Sequence, residues 1–141
     1  MENNRPVIVV EITINKPIEK VWEIWTDPAD IMEWNIPFDD WHCPKVETDL
    51  RPGGHFIFRM ETKDGSEGFD HSGIYDQVIP PELITYTGYD GRKSIIAFYR
   101  EAEKTRLEET FEPDSQNPVE MQRDFCQSVI NRFKRYAEGK P

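Results

Sequence analysis

The sequence predicts an α+β fold in which one antiparallel sheet packs against a long C-terminal helix. The middle of the chain is a series of short strand patterns separated by brief turns with Gly and Pro, and connections this short join antiparallel neighbours. Residues 118–138 then repeat an apolar residue at every fourth position, which is typical of an amphipathic helix. The length of 141 residues suits one core, so we expect a single domain over residues 1–141.

The first three predicted elements are a strand and two short helices. Residues 7–14 are rich in β-branched residues and end in apolar–polar alternation, which predicts a half-buried strand. Pro17 suits the first turn of a helix, and Asp27 is placed to cap a second helix that starts at Pro28. The apolar side of the first helix is predicted to be Ile18, Val21, Trp22 and Trp25, and that of the second Ile31, Met32 and Trp34.

Six further strands are predicted from alternation and turn signals. Residues 36–44 carry aromatic and acidic residues without a clear period, and we expect an irregular segment at the rim of a pocket. Arg51-Pro52-Gly53-Gly54 is typical of a type II turn, and Asp64-Gly65 is typical of a hairpin turn. The predicted strands are residues 45–50, 56–61, 69–79, 83–87, 94–100 and 105–111.

The C-terminal helix has the clearest pattern. Asn117 is expected to cap it, Pro118 to occupy its first position, and Glu120 to complete a capping box. Gly139 is expected to end it. At about 1.5 Å per residue, such a helix is roughly 30 Å long and can cross a small sheet. Its apolar stripe is Met121, Phe125, Val129 and Phe133, flanked by Cys126, Ile130, Tyr136 and Ala137.

Charge and motifs argue against several function classes. The chain has 17 Lys and Arg against 27 Asp and Glu, and this net charge of −10 opposes binding to nucleic acid or to anionic lipid. No run approaches the roughly 20 apolar residues of a membrane span, and residues 1–6 do not resemble a signal peptide, so we expect a cytoplasmic location. P-loop, GxGxxG and GxSxG motifs are absent from the sequence, and we expect no cofactor.

The two cysteines are far apart and lack the spacing of a metal site. Cys43 and Cys126 form neither a CxxC motif nor a Cys/His ligand pattern, so we expect free thiols and no bound metal. His42 and Cys43 are adjacent, and adjacent side chains in an extended segment point to opposite faces.

Strand parity predicts an aromatic concave face that the last helix covers. Such a face either fills a solid core or surrounds a pocket, and the sequence leaves both interpretations open. The residues predicted to line a ligand cavity are Trp34, Phe38, Trp41, Phe56, Phe58, Met60, Phe69, His71, Tyr75, Ile96, Phe98, Leu107, Glu109, Phe125, Val129 and Phe133.

Two ionisable residues fall on this apolar face. Parity places Glu109 between Leu107 and Phe111, where burial would raise the pKa of its carboxyl. The alternative is that the strand twists or bulges, so that Glu109 is solvated or paired with an arginine. His71 is either a hydrogen-bonded core histidine or a ligand contact and general base.

Short motifs along the chain resemble a known family. They are Pro17-x-x-x-Val21-Trp22, Asp27-Pro28, Trp34, Arg51-Pro52-Gly53-Gly54-x-Phe56, Gly73-x-Tyr75 and the terminal amphipathic helix. In order and spacing they resemble the branch of the START/Bet v 1-like (SRPBCC) superfamily named after the activator of the Hsp90 ATPase. The resemblance implies a helix-grip fold, in which a curved antiparallel sheet wraps around the C-terminal helix, with a cavity in which relatives commonly bind hydrophobic ligands. Asp124-Phe125 stands where many relatives have Gly-Trp.

Three hypotheses of function follow. The first is a domain that binds a lipid-like, polyketide-like or aromatic small molecule in the cavity. The second is an enzyme of the cyclase, dehydratase or hydrolase type, with Glu109, His71 and Tyr75 as catalytic candidates. The third is a partner of an Hsp90-type chaperone, although the eukaryotic activator has an additional N-terminal domain that we do not expect here. The sequence does not indicate an oligomeric state.

Overall fold

A computed structural model of the chain describes residues 6–141 and confirms the predicted α+β class. The order of the elements in these residues is one strand, two short helices, six strands and one long helix. Their bounds are β1 Ile8–Ile14, α1 Ile18–Thr26, α2 Pro28–Trp34, β2 Trp41–Thr48, β3 His55–Thr62, β4 Gly68–Ile79, β5 Leu83–Gly88, β6 Lys93–Glu101, β7 Lys104–Phe111 and α3 Val119–Gly139.

The strands form one antiparallel sheet in the order β1-β7-β6-β5-β4-β3-β2. The register shifts in β4 between Tyr75 and Gln77 and in β2 between His42 and Lys45, and such bulges bend a sheet. The curled sheet is half of a barrel, and α3 packs against it beside β1. This arrangement is the predicted helix-grip fold.

A solid aromatic core occupies the part of the concave face that α1 and α2 cover. Trp25 stacks on Trp34 with ring centroids 4.5 Å apart, and both rings meet the edge of Phe133 at 4.9 Å. Phe98 packs against Trp25 from β6. Leu107 of β7, a strand that α1 contacts, is fully buried. Because α1 contacts β6 and β7, this end of the sheet is closed.

The apolar sides of α1 and α2 differ in part from the prediction. Ile24 is buried in α1, whereas Trp22 is only half-buried. In α2, Met32 is 41% exposed, and Asp30 lies inward instead. Asp30 accepts hydrogen bonds from Tyr136 Oη and Lys140 Nζ, both at 2.5 Å. A buried carboxylate with two such donors is satisfied, so α2 turns a charged residue toward α3.

The predicted capping box of α3 is wrong. Pro118 is the cap residue, with extended backbone angles and no side-chain cap bond. Asn117 instead donates its backbone N–H to Asp114 Oδ1 at 3.0 Å. Asp114 in the preceding loop therefore accepts the Asn117 N–H that Glu120 would accept in a capping box. At the other end, Gly139 is the last helical residue, as expected.

The irregular segment is shorter than predicted. Strand β2 already begins at Trp41 and ends at Thr48, so residues 41–44 belong to the sheet. The bulge between His42 and Lys45 interrupts the two-residue period, which hides the strand in the sequence.

Both predicted turns are confirmed. Gly53 and Gly65 have φ of +84° and +78°, conformations that favour glycine. Gly54 N–H closes the first turn by donating to the Arg51 carbonyl at 2.8 Å. Among residues 6–141, no helix has the length and apolar character needed to cross a membrane.

Candidate functional site

A cavity of about 740 Å³ lies between the concave face of the sheet and α3. The helix runs close to β1 while β3 to β6 stand away from it, and this separation leaves the space. Strand register brings the lining side chains to one face, with Phe58 opposite His71 and Ile96 opposite Glu109. The predicted residues that line the cavity are Trp34, Phe56, Phe58, Met60, Phe69, His71, Tyr75, Ile96, Glu109, Phe125 and Val129.

Five predicted lining residues lie elsewhere. Phe98, Leu107 and Phe133 belong to the solid core under α1 and α2. Phe38 and Trp41 lie outside the cavity and pack against Phe125. Alternation assigns a side chain to a face of the sheet, but it does not say which helix covers that part of the face.

Ile84, Tyr86 and Cys126 also line the cavity but are absent from the predicted set. The alternation of residues 83–87 places Ile84 and Tyr86 on one face, so parity finds both once β5 is assigned to the centre of the sheet. Cys126 precedes Val129 by three positions, a helical spacing that shares a face. Arg92 and Asp90 come from the turn before β6, where periodicity gives no signal.

Glu109 is a carboxyl group in the wall of the cavity that comes from an inner strand of the sheet. Strand β7 pairs without a bulge on both sides, so Glu109 keeps the inward direction that parity gives it, between Val10 of β1 and Ile96 of β6. Burial raises the pKa of the Glu109 carboxyl to about 7, and the hydrogen bond from the Cys126 thiol lowers it only in part. The surface that Glu109 retains faces the cavity. Near neutral pH, this group can therefore either hold or release a proton.

Cys126 faces Glu109 from α3. Burial and the nearby Glu109 carboxyl raise the pKa of the Cys126 thiol well above its ordinary value. A thiol of this kind stays protonated and serves as a donor rather than as a nucleophile.

His71 and Tyr86 form a second polar pair in the wall. Tyr86 Oη lies 3.0 Å from His71 Nε2. Burial, and then the positive charge of Arg92, lower the pKa of His71 to about 4, so the imidazole is neutral near pH 7. Burial and the Glu109 carboxyl raise the pKa of Tyr86. The histidine is thus hydrogen-bonded, as one interpretation predicts, and it also lines the cavity.

Phe56 and Tyr75 hold the rings of the wall in place. Phe56 is almost fully buried, and its ring centroid lies 4.9 Å from those of Tyr75 and Tyr86. The Tyr75 hydroxyl lies 2.7 Å from Thr48 Oγ1, and burial raises the pKa of Tyr75. Gly73 is needed beside them because a Cβ there would lie 2.5 Å from the Thr87 carbonyl oxygen.

Four aromatic side chains from different elements form what we call the rim cluster. The centroids of Phe38, Trp41 and Phe69 each lie 5.9–6.2 Å from that of Phe125. Phe38 is 48% exposed and Phe69 39%. Phe69 and Phe125 also line the cavity, so the rim cluster joins its wall to the surface.

His42 and Cys43 point apart, as expected. His42 Nε2 lies 3.1 Å from a carboxylate oxygen of Glu61. Cys43 is buried beside Asn35, and burial raises the pKa of its thiol to about 11. Both cysteines are free thiols. Within residues 6–141, no three His, Cys, Asp or Glu side chains converge in a way that could hold a metal ion.

Sequence comparison assigns the chain to a family. The sequence model of the family described as Activator of Hsp90 ATPase homolog 1-like protein matches residues 15–138. The chain belongs to this family. The match spans α1 to α3, the elements that enclose the cavity.

Solved structures of similar proteins superpose on nearly the whole chain. An AHSA1-like protein from Aeromonas hydrophila is 36% identical, with a TM-score of 0.88 over 94% of this chain and 92% of that one. Chr148 from Cytophaga hutchinsonii is 44% identical, with a TM-score of 0.81 over 96% and 93%. CV1439 from Chromobacterium violaceum shares the fold at 21% identity, with a TM-score of 0.86 over 96% and 99%. No curated protein matches the chain.

Proposed function

We propose that this domain binds an apolar small molecule in the cavity between the sheet and α3. The observation that carries the proposal is a space of about 740 Å³ walled mainly by aromatic and aliphatic side chains, with a few polar groups among them. Small-molecule sites typically occupy roughly 300–1,000 Å³ and have this mixture of lining groups. The helix-grip fold of the family, whose relatives commonly hold hydrophobic ligands, agrees with it.

The wall is built to stay open. Phe56 is held by the rings of Tyr75 and Tyr86, and both tyrosine hydroxyls have partners. Neither tyrosine can turn into the space without breaking a hydrogen bond that burial makes costly to lose. A ligand that covers the ring surfaces lining the cavity gains the free energy of apolar burial.

Nile red, an uncharged fluorescent probe of apolar sites, tests the proposal. We expect saturable binding with a stoichiometry near one. Ile96→Trp should weaken binding, because Ile96 lines the cavity and an indole ring there takes up part of the space. Ile95→Trp is the matched control, since its neighbour Ile95 is 46% exposed on the other face of β6. Equal probe binding by both folded variants, or no binding by the parent, contradicts the proposal.

A second candidate is an enzyme that moves a proton on a substrate bound in the same cavity. The observation that favours it is the Glu109 carboxyl, whose pKa of about 7 suits a general acid or base at neutral pH. In this proposal Glu109 exchanges the proton, while His71 and Tyr75 orient the substrate by hydrogen bonds. Glu109→Gln should then abolish turnover of an identified substrate and leave Nile red binding intact. Full turnover by that variant excludes the role.

An Hsp90-type partner stays a prediction that the family description alone supports. Retention of an Hsp90-type chaperone on immobilised protein would support it. Phe38→Ser is the matched variant for this retention experiment, because it removes an exposed ring of the rim cluster and leaves the cavity lining unchanged.

A further inference from the structure

The side chains that line the cavity carry a strongly negative charge. Five carboxylates contribute to the lining against one cation, Arg92, which gives a formal charge of 1 − 5 = −4. Arg92 is itself engaged, since its Nε lies 2.7 Å from an oxygen of Asp90. His71 adds no positive charge, because its pKa of about 4 leaves it neutral. The five carboxylates are Asp70, Asp90, Glu109, Glu112 and Asp114.

Glu109 differs from the other four by its place within the sheet. Asp70 and Asp90 are exposed, whereas Glu109 lies between Val10 and Ile96. Among residues 6–141, no Lys or Arg nitrogen lies within 4.0 Å of the Glu109 carboxylate. The Cys126 thiol donates to it, which satisfies an acceptor but supplies no charge. A buried carboxylate is stabilised most by a cation in contact with it.

The neighbouring residue Glu108 has the same side chain in β7, but it is paired with a counter-ion. Glu108 points to the outer face of β7, and its carboxylate oxygen lies 3.3 Å from Arg106 Nη1. The guanidinium of Arg106 also reaches Glu101 at 3.2 Å. The described part of the chain thus supplies a counter-ion to the outward carboxylate and none to the inward one.

Aromatic rings in the same cavity wall suit a cation as well. Phe56, Phe58, Tyr86 and Phe125 line the same cavity, and the negative face of an aromatic ring attracts an ammonium group. The net charge of −10 also raises the local concentration of cations around the protein.

We infer that the cavity takes an apolar molecule bearing one protonated amine, with the ammonium group against the Glu109 carboxylate and the apolar body along the rings. This inference rests on the proposed binding function and specifies its ligand class. A neutral or anionic ligand of the same shape would leave Glu109 without a counter-ion and would lose the ring contacts to the cation.

Three compounds of one shape test it: phenylbutylamine, phenylbutanol and phenylbutyrate, each measured by displacement of Nile red. The amine should bind at least about tenfold more tightly than the alcohol, as a charge-assisted contact predicts, and the carboxylate should bind most weakly. Glu109→Gln should remove the preference for the amine, so that the amine and the alcohol bind within about twofold of each other. Glu108→Gln is the matched control, because it removes the same charge from the outer face and should keep the preference.

The pH dependence gives a second measurement. The pKa of Glu109 is about 7, so affinity for the amine should rise as the pH increases through about 7 and then level off. The other ionisable groups that face it do not titrate there, since the pKa of His71 is about 4 and those of Cys126, Tyr86 and Tyr75 are raised. The alcohol should show no such rise.

The outcomes separate the two proposals. If the alcohol binds as tightly as the amine, or the preference survives in Glu109→Gln, the inference is overturned while the binding function stands. If Nile red, the amine and the alcohol all fail to bind, both are overturned. The comparison of compounds on the parent protein needs no variant, so it remains decisive if Glu109→Gln does not fold.

Discussion

Glu108 and Glu109 are chemically identical neighbours with opposite surroundings. One residue of alternation turns Glu108 toward Arg106 and turns Glu109 toward Ile96 and the cavity. Because of this difference, Glu109 has a pKa of about 7. A single step along β7 therefore converts a surface ion pair into a group that can change its charge at neutral pH.

The raised pKa of Glu109 makes the stability of the fold depend on pH. A carboxyl group whose pKa is higher in the folded state than in the unfolded chain makes its full contribution to the free energy of unfolding below the unfolded pKa of 4.5. That contribution is lost as the pH rises through the folded pKa of about 7. Glu109→Gln should therefore match the parent near pH 4.5 and exceed it at alkaline pH. We expect a gain of about 1–2 kcal/mol, because solvent reaching the cavity reduces the roughly 3 kcal/mol of the full shift.

Denaturant unfolding of the parent, Glu109→Gln and Glu108→Gln across this pH range measures the effect. Glu108→Gln controls for the change in net charge. A difference between the parent and Glu109→Gln that stays constant with pH would contradict the pKa argument.

Cys126 should react slowly with thiol reagents in the folded protein. Burial and the Glu109 carboxyl disfavour its thiolate, which is the reactive form. Glu109→Gln removes the nearby charge and should speed iodoacetamide labelling of Cys126 severalfold near pH 8, within the limits that burial sets. Mass spectrometry after digestion measures labelling of both thiols, and Cys43, buried in β2 five strands away from β7 in the sheet, is the internal control. Equal rates in parent and variant would show that Glu109 does not act on the thiol.

At the scale of elements, the turn between β2 and β3 depends on two glycines for different reasons. Gly53 has φ of +84°, where a side chain is strained although nothing lies within 4 Å of its Cβ position. Gly54 has an ordinary φ, but a Cβ there would lie 1.9 Å from the Asp49 carbonyl oxygen. Glycine is required at position 53 by the backbone φ angle and at position 54 by the close approach of the Asp49 backbone.

Alanine at each position should separate the two causes. Gly53→Ala should reduce the free energy of unfolding by about 1 kcal/mol, and Gly54→Ala by more, about 2–3 kcal/mol, because backbone must move. Gly139→Ala is the control, since its Cβ position in α3 is open and alanine favours a helix. Denaturant unfolding gives all three values. If Gly54→Ala is as stable as the parent, the close approach to Asp49 is wrong.

The elements could be predicted from the sequence where the period is regular. Pro17, Asp27 and Gly53 mark boundaries through fixed backbone preferences, and the structure confirms all three. The start of β2 at Trp41 could not be found, because a bulge breaks the alternation there. The cap of α3 could not be found either, because Asp114 competes for the Asn117 amide through a loop that has no period.

At the scale of the whole molecule, one part of the concave face is packed into the core and another part lines the cavity. Parity predicts both parts equally well, yet Phe98 is in the solid core and Phe58 is in the cavity wall. The difference is set by the placement of α1 over β6 and β7 and of α3 beside β1. How helices pack on a sheet depends on the shape of the assembled sheet, so the apolar–polar alternation within single strands does not predict it.

Removal of α3 should abolish folding of the remaining chain. Ile130, Phe133 and Ala137 of this helix are fully buried, and without them the sheet exposes an apolar surface larger than a monomer tolerates. We expect residues 1–116 to show no cooperative thermal transition by circular dichroism. Lys140→Ala, which removes one donor to Asp30, is the milder control and should melt cooperatively at a lower temperature. A cooperative melt of the truncated chain would refute the dependence on α3.

The half-barrel remains open, with β1 and β2 as its two outer strands, and such borders invite another chain to add a strand. On one border, α3 occupies outward backbone oxygens, because Lys134 Nζ donates to the Thr13 carbonyl at 2.5 Å. On the other, Pro44 has no N–H to offer and lies at the bulge before Lys45. The bulge that bends β2 and the helix that packs beside β1 thereby also hinder the addition of another strand at the two borders of the sheet.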